Sequence, residues 1–396
     1  METFIFSDRA KKTTYALIGI GLLVLITGIV TGVGGQRIWA NVLINGFFYF
    51  GIALAAVFMI SMQYAAEAAW GTILKRVFEG VSSFVPIGAG VIFLVLLVGS
   101  FHGHHLYHWM DASLYDPASE HYDKVIAGKH GYLNLPFFWA RAILFLGFYV
   151  LIQRTFRKRS LEEDLTGGVN LHKKNITTAA IFLVFFGFLS PVAIWDWIMS
   201  IDTHWYSTLF GWYTFAGMWI SGITFTTLLI LYLKRKGHLQ QVNENHLHDM
   251  GKWMFAISCL WSYMWFFQFM LIWYANIPEE VTYYQARIAD YKFLFFAIFA
   301  INFVFPFFLL MDRDAKRNTG LLTFVGVLVF MGHWLDLYLM VTPGTMKAEG
   351  ILNWFEIGLA LGFLGLFVFV VLNTLSKAPL VVKQHPYLEE SVHLHQ

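Results

Sequence analysis

Ten apolar runs of 18 to 25 residues, separated by polar connections, make up most of the chain: 15–33, 42–66, 82–101, 136–153, 176–198, 211–233, 253–274, 292–311, 321–341 and 352–373. About 20 helical residues cross a hydrocarbon core of about 30 Å, and each run reaches roughly that length. A membrane β-barrel would instead show segments of about ten residues with alternating polarity. The runs are continuous, so helices are expected, in which every backbone group is satisfied within the span. The pattern predicts an all-α integral membrane protein: one polytopic domain over 1–396 with about ten transmembrane helices and a short tail at 374–396. The first run follows a polar start, Met1 to Thr14, and has no small-residue cleavage site, so it reads as an uncleaved first helix.

The polar connections set the orientation. Lys and Arg number twenty in the N-terminal tail, the even-numbered connections and the C-terminal tail, against six on the other side, with Arg141 inside a span. Cytoplasmic loops carry the excess of basic residues. Both termini are therefore expected in the cytoplasm, as an even helix count requires. Two long outer segments stand out, 102–135 and 275–291. Trp195, Trp197, Trp205, Tyr206, Trp273 and Tyr274 crowd the outer ends of spans, where an aromatic belt is expected.

Composition narrows the function. Only 13% of residues are charged and the net charge is +2, so no nucleic-acid partner is indicated; the lipid bilayer is the expected surrounding. The single cysteine, Cys259, excludes an internal disulfide and an iron–sulfur or thiolate zinc site built by this chain alone. A haem between helices needs histidines within apolar spans, normally in pairs, and of 15 histidines only His333 qualifies. The run His102, His104, His105 and His108 matches no standard zinc spacing and reads as a solvated or partner-facing loop. No metal and no cofactor is expected to be bound by this chain alone. Walker, GxGxxG and Ser/His/Asp arrangements are absent.

Ionisable groups inside a membrane are costly and are functional candidates by default. Those found are Arg141, Asp196, His333, Asp336 and Glu356, with Glu279 and Glu280 after the seventh span, all in the outer half. The inner half offers mainly Glu67, with Gln63 and Tyr64 beside it; the middle holds neutral groups such as Gln268 and Asn302. His333 and Asp336 are three residues apart and share a helix face. Imidazole can hydrogen-bond a quinone or quinol, the carboxylate can take its proton, and histidine titrates near neutral pH. The competing reading is that the pair bonds Arg141 or another helix and simply locks the bundle.

Three stretches carry a resemblance. WDWIMSIDTHWYSTLFGWYTFAG at 195–217, FMLIWYANIPEEVTYY at 269–284 and SMQYAAEAAWGTILKRVFEG at 61–80 resemble the ActF-type membrane subunit of alternative complex III, a bacterial quinol:cytochrome c oxidoreductase. The resemblance extends over the whole chain. It implies the NrfD-like superfamily of polysulfide-reductase membrane subunits, with helices 2–5 and 6–9 as two four-helix bundles in a parallel repeat, flanked by helices 1 and 10. It further implies a bacterial inner-membrane location and partners: an ActC-like sister subunit, a multihaem cytochrome and an iron–sulfur subunit that hold the haem and clusters, with a terminal oxidase as a further candidate. Quinol is a candidate ligand. Against this subunit of a quinol-oxidising respiratory complex stand a stand-alone secondary transporter or ion channel, and a purely structural anchor. Transporters usually place ion sites at the midplane, whereas the candidates here crowd one side.

Overall fold

The computed structural model describes residues 3–395. Among them, ten helices are long and apolar enough to cross a membrane: α1 Asp8–Val30, α2 Gly35–Ala65, α3 Thr72–Ser100, α4 Leu135–Thr166, α5 Val169–Ile201, α6 Thr208–Arg235, α7 Glu244–Ala275, α8 Pro278–Leu309, α9 Thr319–Glu349 and α10 Trp354–Leu375. The protein is a multi-pass, all-α membrane protein. Each expected span coincides with one helix, and most helices run beyond the apolar run at one or both ends.

Polar residues mark where helices begin. Asn134 caps α4 and Asn318 caps α9, each accepting from backbone N–H groups of the first turn. Asn243 with His246, and Asn353 with Glu356, form reciprocal capping boxes at α7 and α10. The first N–H groups of a helix lack intrahelical acceptors, and such side chains satisfy them. Proline has a different effect in α8. Pro306 has no N–H for the Asn302 carbonyl, and the chain passes through a π-helical turn at Ala300–Val304 just before it.

Helices α2–α5 form one four-helix bundle and α6–α9 a second. They meet mainly along α2 and α6, with α9 also against α2 and α5 against α6. Burial of the apolar window ranks the helices: 94% for α2 and 78% for α6, but 17% for α1 and 22% for α8. The seam between the bundles is thus the core of the molecule. Phe188, Val184, Leu144 and Phe293 face outward toward the acyl chains.

Helices α1 and α10 pack closely on each other outside the bundles. A Cβ on Gly21 would lie 2.5 Å from the Cα of Gly362, so only glycine permits this crossing. Small residues let backbones approach where lipid supplies no hydrophobic drive for helix association. Gly362→Ile is expected to cost about 1–3 kcal/mol as an overpacked contact and to lower the thermal unfolding midpoint of the purified chain. Gly19→Ile, with nothing within 4 Å of its Cβ position, is expected to leave it unchanged.

Four expectations are corrected. Residues 275–291 are not a long loop: α8 begins at Pro278 and runs through the segment, with one non-helical residue at Tyr291. Lys75 and Arg76 are not loop cations but buried residues near the start of α3. Trp197 and Trp205 are buried in the protein, while Tyr206, Trp273 and Tyr274 are exposed as a belt requires. The tail does not project freely. Leu380, His385 and Ser391 are buried, and the Ser391 hydroxyl donates to the Trp70 carbonyl at 2.9 Å.

Candidate functional site

The first and last described segments meet at one end of the bundle, where Thr3 pairs with Pro379, here the terminal end; the opposite end is the distal end. Among the described residues, three carboxyl groups are buried in the distal half, and they differ in what faces them.

Asp196, in α5, is fully buried and pairs with Arg141 of α4 through Nε at 2.7 Å and Nη2 at 3.0 Å. The guanidinium also donates to the Tyr132 carbonyl at 3.3 Å and lies over the Tyr132 and Phe137 rings. Glu356, at the start of α10, is fully buried and takes Arg37 Nε at 2.7 Å and Nη2 at 2.9 Å. It also accepts from Asn41 at 3.2 Å and from the Asn353 amide at 3.0 Å. Both carboxylates are therefore neutralised by a two-pronged guanidinium. They lock α4 to α5 and α10 to α2.

Asp336 of α9 is different. It is buried, and its donors are the Tyr213 hydroxyl on Oδ1 and Trp261 Nε1 on Oδ2 at 3.0 Å, from α6 and α7. Among the described residues no Lys or Arg pairs with it. His333, one turn earlier, places Nδ1 3.9 Å from Oδ2. Both ring nitrogens of His333 are buried without a hydrogen-bond partner among the described residues, and the ring sits edge-on to Trp261. The expected His333/Asp336 face is present, but Arg141 does not join it; Asp196 takes that cation in the other bundle.

Small cavities flank this pair. One of about 20 Å³ is lined by Thr214, Gly217, Ser221, His333 and Asp336. A second of about 20 Å³ reaches from Asp336 past Gln268 and Tyr284 to Tyr283 and Arg287. Those last two also line an open cleft of about 1120 Å³ at the distal surface, with Asp202, His105, His108 and Lys347. Polar space thus leads in steps from the distal surface to Asp336. The neutral mid-membrane groups belong here: Gln268 Nε2 donates to the Tyr284 hydroxyl at 3.0 Å, and Asn302 lies in the π turn against Gly332, its amide unpartnered among the described residues.

Arg287 is one of the six basic residues on the less basic side, where a loop cation is expected. It is buried, pairs with Asp202 at 3.0 Å, donates to the Tyr283, Leu339 and Met340 carbonyls, and lies over the Tyr283 ring. Its sequence signal was the spacing Tyr283, Arg287, Tyr291: every fourth residue marks one helix face. Glu279 is exposed in the first turn of α8 and joins no buried group. Of the His102–His108 run, His104 is buried and bonds the Val95 carbonyl at 2.9 Å, while His102, His105 and His108 are exposed.

The terminal half is richer than Glu67 suggested. Glu67 itself is exposed just past α2, with φ +49°. Beneath it, Lys75 pairs with Glu163 at 3.0 Å. Arg76 bridges Glu79 at 2.9 Å and Asp164, and Arg157 reaches Glu79 at 2.6 Å. Counting these cations as loop charge hid the network, although Arg76 and Glu79 stand at i, i+3 spacing.

No family model matches this chain, and no curated protein matches it.

Proposed function

We propose that this chain is an integral membrane subunit of a bacterial quinol:cytochrome c oxidoreductase of the alternative complex III type, and that it transfers protons in the outer half of the membrane. In this reading the distal end faces outward, both termini are cytoplasmic, and partner subunits hold the haem and iron–sulfur groups. The observation that carries it is Asp336: a buried carboxyl held by neutral donors, beside an unpartnered imidazole, at the inner end of a stepped polar path. A carboxyl without a counter-cation can take up and release a proton without breaking a salt bridge. Asp196 and Glu356 cannot, so their part is structural.

Cavity size favours proton transfer over quinol binding inside the bundle. A space of about 20 Å³ holds about one water, whereas pockets for organic ligands are about 300–1,000 Å³. Such waters would link Arg287, Gln268, Asp336 and His333 into a half-channel open to the outer side. A stand-alone transporter is the second reading. The π turn in α8 favours it, since transporters use interrupted helices in pairs, but helical backbone is continuous through the membrane part of α4, the matching position in the other bundle.

The test is isolation from native membranes in mild detergent. The chain is expected to co-purify with haem-containing subunits and with quinol:cytochrome c activity. Isolation by itself, from membranes in which that activity resides in other fractions, refutes the reading. Reporter fusions after residue 240 should report cytoplasm and those after residue 120 the outer side; the reverse pattern would invert the half-channel.

A further inference from the structure

A second cluster lies at the terminal end, away from the half-channel. Glu163 stands in the last turn of α4, His172 in the first turns of α5, and His385 in the C-terminal segment. All three are buried, and each offers a ligand atom within 4.8 Å of the other two. Neither His172 nitrogen has a hydrogen-bond partner among the described residues, and Glu163 Oε1 is likewise unpartnered. Leaving such atoms unsatisfied costs about 1–3 kcal/mol each; the two nitrogens of one ring point apart, so one His172 nitrogen and Glu163 Oε1 share the space with His385 and call for an occupant.

The chemistry of that occupant follows from the donors. Two imidazoles and one carboxylate oxygen form a set suited to a divalent transition metal. Glu163 is already oriented: Lys75 holds Oε2 at 3.0 Å and leaves Oε1 free, the arrangement by which a supporting hydrogen bond aims a ligating carboxylate. His385 Nδ1 keeps only a long contact, 3.3 Å from the Tyr387 amide. The cavity beside the histidines, lined also by Gln63, Tyr64, Lys75 and Tyr387 with Glu163 set back behind Lys75, is about 10 Å³, room for an ion or one water and for no organic ligand. Bonds of about 2.0–2.2 Å bring tetrahedral ligand atoms to about 3.4 Å from one another, so from within 4.8 Å the widest pair closes by at most about 1.4 Å. His385, on the C-terminal segment and outside the helices, is the ligand placed to supply that movement.

We propose that Glu163, His172 and His385 bind one divalent transition-metal ion of zinc type, and that this ion fastens the C-terminal segment to the adjoining ends of α4 and α5. The Lys75 ammonium weakens the site by repulsion, and Glu163 offsets it. The three ligands lie outside the apolar runs, and the cavity beside them abuts the end of α2. It departs from the expectation that this chain binds no metal because its ligands are scattered at 163, 172 and 385, a spacing that no local motif reveals.

The full-length chain in detergent is stripped with a chelator, exposed to excess Zn2+, desalted, and its metal content measured; Co2+ replaces Zn2+ for visible spectroscopy. The wild type is expected to retain about one ion per chain and to show the ligand-field bands of an N/O-bound Co2+ site. His172→Ala and His385→Ala are each expected to weaken binding by more than the tenfold to hundredfold that loss of a mere supporting partner produces. His393→Ala, at a nearby histidine of the tail, keeps the ion. Zn2+ is also expected to slow proteolysis after Lys383 in the wild type and not in His385→Ala. Should His172→Ala fail to fold, His385→Ala decides, because that side chain lies outside the helices. Wild-type protein that retains no ion, or a His385→Ala variant that retains as much as the wild type, overturns the proposal and leaves the cavity to a water.

Discussion

Asp336→Asn is expected to slow quinol:cytochrome c turnover about tenfold to hundredfold in a complex that still assembles. The lower bound reflects partial bypass by water; general acid–base groups commonly contribute about 10²–10⁴-fold. The substitution keeps the side chain's shape and removes its titrating proton. Its amide oxygen can still accept from Trp261 Nε1 while its NH2 donates to the Tyr213 hydroxyl oxygen, so both contacts can be kept. The strength lost on exchanging charged for neutral hydrogen bonds is about 1 kcal/mol each, too little to unfold a ten-helix bundle. Steady-state turnover, with subunit content measured on the same sample, separates the two effects. Asp336→Glu should recover part of the rate. Glu67→Gln, at an exposed side chain, should change little. Wild-type turnover in an assembled Asp336→Asn complex would leave the structural anchor as the better reading, and a large loss from Glu67→Gln would favour conduction across the whole membrane.

Asp196→Ala is expected to act on stability instead. It strands the Arg141 guanidinium, 7% exposed, among the Tyr132 and Phe137 rings. Removing one partner of a buried ion pair costs about 3–5 kcal/mol, whereas replacing both by apolar side chains is often neutral. Asp196→Ala should therefore cut the yield of assembled protein and lower its unfolding midpoint by many degrees, and Arg141→Met with Asp196→Leu should restore both. The rescue discriminates: a proton-transfer role for Asp196 would leave the double variant stable but slow. Normal turnover in the rescued complex is the expected outcome.

The helices were legible because the membrane imposes a length on every apolar run, and little in the chain competes with that signal. His333 and Asp336 were legible as a pair because i, i+3 spacing is a local property of one helix. Partners from distant helices were not. Nothing in the neighbourhood of Asp336 names Tyr213 or Trp261, and nothing near Glu356 names Arg37, so three acids that look alike in sequence separate only when their surroundings are known. The terminal-end network was hidden for a different reason. Basic residues at span ends have two physical uses, orienting the chain in the membrane and pairing with acids beneath the surface, and Lys75 and Arg76 do the second. Arg287 was missed because proline and two glutamates resemble a loop, whereas proline is well placed in the first turn of a helix and acids favour its positive end.

The crossing of α1 and α10 bears on how the protein is made. Helix α1 leaves the ribosome well ahead of α10, the partner it packs on. Until α10 emerges, α1 resides in lipid with its notch at Gly21 unfilled, while α2, the most enclosed helix, is being surrounded by later arrivals. Emergence of α10, rather than insertion of any earlier segment, is the event that seats α1. A nascent chain that stops before α10 should therefore keep a loose N-terminal helix, a ready handle for membrane quality-control proteases.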